Sequence, residues 1–158
     1  EVQLKITHQK IIKDTKQQKQ LFIFLRMNQK IHKNSSPRIK VIQKIYGSLM
    51  NPDVEIEYPK NQYRKYIKDV VSGTLERTDL IEKTIIKHLD KDIDLKKTDK
   101  LLKIILFSAV FEFLFTHNTP KNVIISEYVK ASEFFLEKAQ ISYLNAILDK
   151  LSKSIRNS

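Results

Sequence analysis

The sequence predicts an all-α fold, and three observations carry that prediction. Only two glycines and four prolines occur in 158 residues, so breakers of regular structure are scarce. Ile, Leu, Lys and Glu are abundant, a composition that favours long helices over strands and turns. Apolar residues recur at spacings of three and four, the period of a helix face. The length suits one domain with a core of its own.

The elements follow in order. Residues 1–26 show weak periodicity, and Met27 then opens Met27-Asn28-Gln29-Lys30-Ile31-His32-Lys33-Asn34, which reads as a natural start. The expectation is a basic N-terminal extension over 1–26, upstream of the native start, and a helical domain over 27–158. Mass spectrometry of the native protein decides this, because an N-terminus well before Met27 is incompatible with it. Ser36-Pro37 reads as a helix entry, Ser at the cap and Pro at the first helical position. That helix should run to about Leu49, with Val41, Ile42, Ile45 and Leu49 on its apolar face and Arg38, Lys40 and Lys44 opposite. Asn51-Pro52 ends it.

An acidic connection over 53–60 leads to one long helix over about Gln62–Leu89. Gly73 sits in its interior, where it costs up to about 1 kcal/mol relative to Ala; close approach of another backbone is the usual reason. Asp90, Asp92 and Asp94 alternate in the next connection. The residues argue against a calcium loop there, since Leu95 stands at the turn-Gly position and Leu101 at the bidentate-Glu position, and a solvated acidic connection is the reading. Thr98 should cap a third helix, about Asp99–Thr116, which is apolar nearly all round and therefore central. Glu112 within it needs a partner. Asn118-Thr119-Pro120 breaks that helix. Two more follow, about Val123–Leu136 and about Ile141–Ile155. Asn145 and Asp149, four apart on the last, should tie helices together.

The chemistry-bearing motifs of enzymes are missing. His8, His32, His88 and His117 are scattered, and no cysteine is present, so metal and thiolate sites lack their ligands. Gly47 and Gly73 are the only glycines, which leaves no phosphate-cradling loop. No cofactor is expected, and no catalysis. The longest apolar stretch, Leu101 to Phe115, is interrupted by Lys103 and Glu112 and is short of the roughly 20 residues of a bilayer span. The chain reads as soluble and cytoplasmic.

The net charge of +11 suggests a polyanionic partner. A Lys-rich, AT-biased genome is the plain alternative. The distribution is more telling: no carboxylate lies between Thr15 and Pro52, a stretch holding Lys16, Lys19, Arg26, Lys30, Lys33, Arg38, Lys40 and Lys44. A basic arm feeding a basic helix suits single-stranded RNA, with Lys30, Lys33, Arg38, Lys40 and Lys44 neutralising phosphates.

Several ordered segments resemble the NusB family of bacterial antitermination factors. Arg38-Ile39-Lys40-Val41-Ile42-Gln43-Lys44-Ile45-Tyr46 is similar to that family's opening helix at Arg38, Gln43 and Tyr46. Gly73, then Ala109-Val110-Phe111-Glu112, then Pro120, Val123, Ile125 and Glu127, then Asn145, Leu148, Asp149 and Lys150 follow its pattern in turn. The likeness covers about Ser35 to Arg156. Phe107-Ser108, Ser126 and Ala146 depart from the pattern.

The resemblance implies two packed helical bundles of about five to seven helices. It also implies a factor in ribosomal RNA transcription that binds boxA-type single-stranded RNA with ribosomal protein NusE, within an RNA polymerase antitermination complex. Tyr46, Phe135 and Tyr143 stand where the family tends to carry aromatics and are candidate platforms for unstacked bases, core packing being the alternative for each. Two other readings stay open at this point. One is a NusB-like accessory domain of an rRNA cytosine methyltransferase. The other is a basic protein on acidic membranes, disfavoured because residues 16–44 lack Trp and a wide apolar face.

Overall fold

The protein is described from a computed structural model, which covers residues 18, 22–23, 25–29, 31, 35–89 and 91–157. The chain divides into two compact units, Glu1–Lys33 and Asn34–Ser158. In the first, residues 25–29 are helical. The second holds six helices among the described residues: α1 (Pro37–Met50), α2 (Arg64–Glu76), α3 (Thr78–Leu89), α4 (Lys100–Phe115), α5 (Lys121–Ser132) and α6 (Lys138–Ile155). Among the described residues there is no strand.

α4 is the axis of this unit. It is buried without a break from Ile104 through Phe113 and packs against all five other helices. A helix that is apolar all round gains most by being enclosed on every side. α1 and α2 pack on each other and on α4; α5 and α6 pack on each other and on α4; α3 touches both α4 and α6. Two bundles thus share one helix, the all-α architecture the sequence implies.

Three local expectations need correction. The single helix over 62–89 is two, α2 and α3, parted at Arg77 (φ −107°, ψ 24°). The Thr78 hydroxyl donates to the carbonyls of Thr74 (3.1 Å) and Leu75 (2.9 Å) there. Such back-bonding competes with the helix ladder and bends it. Asp99, not Thr98, caps α4: its carboxylate accepts from the N–H groups of Leu101 (3.1 Å) and Leu102 (3.2 Å), while the Thr98 hydroxyl donates to the Asp94 carbonyl. Ser36 precedes α1 as expected, but its buried hydroxyl caps nothing and finds no hydrogen-bond partner among the described residues.

Gly73 is required by a side chain rather than by another backbone. A Cβ on it would lie 2.3 Å from the Phe111 ring. The far end of α4 is closed by Arg156, just past α6. Its guanidinium donates to the carbonyls of Phe113 (2.9 Å), Glu112 (3.0 Å), Thr116 (2.9 Å) and Thr119. These include terminal carbonyls that an α-helix leaves without intrahelical partners. A cation there also meets the negative end of the helix dipole.

Candidate nucleic-acid interface

The sequence-predicted basic helix does not present an open row of cations. Arg38, in the first turn of α1, turns inward. Its Nε and one terminal nitrogen donate to the two carboxylate oxygens of Glu112 at 3.1 and 2.9 Å. Glu112 is wholly buried, and the Tyr66 hydroxyl donates to it at 2.9 Å. The guanidinium lies 5.3 Å from the centroids of both the Tyr66 and Tyr128 rings, with Glu127 at 3.9 Å. Burial alone would lower the Arg38 pKa, but Glu112, Tyr66 and Tyr128 together outweigh it, so the pKa is raised and the group stays charged. Arg38 therefore serves Glu112, the buried acid whose partner the sequence left unnamed.

Lys40 is buried as well, at 8% exposure. Lys44 is half-buried; burial lowers its pKa, with Glu57 acting in the opposite sense. Tyr46 is a core residue, 3% exposed, with the Lys100 ammonium 5.7 Å above its ring. Phe135 is half-buried in the connection between α5 and α6, its ring edge-on to Phe134 at 5.3 Å. Lys30 and Lys33 lie outside the described residues. Asn145 and Asp149 do not link helices: both are exposed along a groove between α5 and α6, and Asp149 pairs with Lys153 on its own helix at 2.9 Å.

Tyr143 is the candidate whose ring reaches the surface, at 38% exposure. Its hydroxyl donates to the Asp92 carbonyl at 3.2 Å, so the ring is held rather than swinging. Partial burial, helped by the Asp92 carboxylate, raises its pKa. Lys150, two turns further along α6, pairs with that carboxylate. α6 is thereby anchored twice to the connection between α3 and α4.

That connection carries what sequence reasoning missed. Lys91, Lys96, Lys97 and Lys100 are all exposed along it. Tyr143 sits at one end, through Asp92, and Lys100 marks the other. The intervening acids have local tasks: Asp92 holds Lys150, Asp94 accepts from the Lys96 N–H at 3.1 Å, and Asp99 caps α4. Read as an acidic turn, the segment hid its cations behind alternating aspartates. The signal was there, in four lysines within ten residues.

Among the described residues no cluster of three or more His, Cys, Asp or Glu could hold a metal. No helix among them is long and apolar enough to cross a membrane. The candidate site offers one anchored aromatic face and a line of exposed ammonium groups, the kinds of groups that suit an anionic, partly aromatic polymer.

The fold defines a class, an α-helical bundle built around one buried helix with an internal ion pair. The family model for the NusB family matches residues 9–153, and the chain belongs to the NusB family. A transcription antitermination protein NusB from Rickettsia bellii (strain OSU 85-389) is 32% identical over 143 residues, covering 78% of this chain and 92% of that protein. One from Sphingopyxis alaskensis is 24% identical, covering 82% of this chain and 99% of that protein. A solved NusB structure from T. maritima superimposes with a TM-score of 0.65 at 18% identity, over 74% of this chain and 88% of that one, a likeness of fold.

Proposed function

We propose that this protein is a transcription antitermination factor. It binds boxA-type single-stranded RNA together with ribosomal protein NusE in ribosomal RNA transcription, joins the RNA polymerase antitermination complex, and works in the cytoplasm without catalysing a reaction. The observation that carries the reading is the exposed ring of Tyr143, anchored through its hydroxyl to Asp92 in the same segment that carries the exposed Lys91, Lys96, Lys97 and Lys100. A single strand is held by ammonium groups along its phosphates and by a stacking platform for its bases. Family membership supports the same reading. The names of relatives covered over 92–99% of their length favour a factor over an accessory domain of a methyltransferase.

Titration of a labelled boxA-type RNA, with and without the cognate NusE, tests the proposal. Tighter binding in the presence of NusE is expected. Replacing Tyr143 by Ala should weaken RNA binding about 10-fold, in line with a stacked base, while Tyr143→Phe keeps most of the affinity. RNA affinity indifferent to both NusE and Tyr143→Ala would rule the reading out.

A further inference from the structure

α1, α2 and α4 enclose a cavity of about 220 Å³ walled by Ile45, Leu75, Ile104 and Phe107. Leu49, 46% exposed, forms its lip. Thr74 lines it at 3% exposure, and the Thr74 hydroxyl has no hydrogen-bond partner among the described residues. Lys100 and Lys103 stand at its edge, and no carboxylate lines it. We propose that this cavity receives one unstacked nucleobase of the bound strand. The inference rests on the RNA-binding reading and gives it a specificity element.

Three features select that guest. The volume suits a single ring system, below the roughly 300–1,000 Å³ of sites for larger ligands. The walls are mostly apolar; of the two hydroxyls that line them, that of Thr78 donates to the Thr74 and Leu75 carbonyls, whereas that of Thr74 is unsatisfied among the described residues, which is unfavourable in a buried place. A base has an apolar face and an edge of donors and acceptors, so it can fill the cavity and satisfy Thr74 together. A purely apolar side chain from a protein could do only the first. The hydroxyl oxygen is shut off from solvent as it stands, but threonine in a helix has two accessible χ1 rotamers. It forfeits no bond by turning.

The edge supplies the second half of the argument. Lys100 belongs to the basic segment that ends here, so a strand lying along Lys91–Lys100 brings its phosphates to Lys100 and Lys103. The base at that point can then turn inward. Lys103 also lies 5.5 Å from the Phe107 ring centroid, which keeps its ammonium beside the cavity.

The test uses the full chain and a boxA-type oligonucleotide in which each nucleotide in turn is made abasic. Besides the base stacked on Tyr143, whose loss Tyr143→Ala identifies, one further position should lose about 10-fold in affinity, the loss of one enclosed base. Thr74→Val keeps the shape and removes the hydroxyl. It should weaken intact RNA about 5-fold, leave RNA abasic at that position unaffected, and leave the melting temperature unchanged or higher. In threonine-methyl NMR of the wild type, the Thr74 signal should move on adding RNA alone. Binding of intact RNA by Thr74→Val at wild-type strength, with Tyr143 still required, would overturn the cavity assignment and leave the RNA-binding reading standing. A Thr74 signal that moves with NusE and not with RNA would assign the cavity to a protein side chain and overturn it too. Wild type that binds no RNA overturns both.

Discussion

Arg38 grips Glu112 through two parallel N–H···O contacts, across 74 positions of sequence and inside the protein. The pair joins the first turn of α1 to the last turn of α4. A buried pair is a weak source of net stability, since desolvation offsets most of the attraction. Losing one member is another matter, because it leaves a bare charge in an apolar place. Arg38→Ala should destabilise the fold by about 3–5 kcal/mol. Denaturant unfolding checks this. The paired change Arg38→Met with Glu112→Leu should recover much of the loss; if the single and paired variants unfold alike, the pair is not the cause.

Gly73→Ala pits two effects against each other. Helix propensity favours Ala by up to about 1 kcal/mol. Against it stands a Cβ forced to 2.3 Å from the ring of Phe111, a residue itself only 6% exposed. Overpacking of this kind costs about 1–3 kcal/mol, so a net loss of about 1–2 kcal/mol is expected. Gly73→Ala combined with Phe111→Leu should be less unfavourable than the sum of the two singles. A melting temperature raised by Gly73→Ala alone would show that the ring moves aside without penalty.

Alkaline pH should unfold the protein through Tyr66 and Tyr128. Burial, reinforced by Glu112, raises both phenol pKa values. The folded state therefore keeps protons that the unfolded chain gives up near pH 10. The stabilisation is fully present below about pH 10 and is lost as pH rises above it, by up to about 1.4 kcal/mol per pH unit for each phenol. Tyr128→Phe should flatten the fall above pH 10. An unfolding free energy constant from pH 9 to 11 would contradict this.

RNA affinity should fall steeply with salt. Contacts from Lys91, Lys96, Lys97 and Lys100 to four phosphates give a slope of log K against log salt near −3, about a 50-fold loss between 50 and 200 mM. Lys96→Ala with Lys97→Ala should make the slope shallower by about 1.4. A slope unchanged in that variant would place the phosphates elsewhere.

The backbone plan was legible because it rests on local signals. The apolar run Leu101–Phe115 had to be enclosed, and it is the axis of the bundle. The need of Glu112 for a partner was also readable, since a carboxylate amid apolar residues demands one. The identity of the partner was not. Arg38 carries the same charge whether it faces water or Glu112, and only tertiary packing decides. The same holds for Tyr46, an aromatic that could cover a base or fill a core. In residues 91–100 the difficulty ran the other way: alternating signs average to a neutral turn until local bonds occupy Asp92, Asp94 and Asp99. The split at Arg77 went unread because its mark is where the Thr78 hydroxyl bonds, which the sequence does not display.

Because Arg156 completes the final turn of α4, that central helix waits on residues more than forty positions downstream. During synthesis the ribosome must pass Arg156 out of its exit channel before the last carbonyls of α4 can be covered from within. A nascent chain that has not yet added that arginine must leave those carbonyls to water.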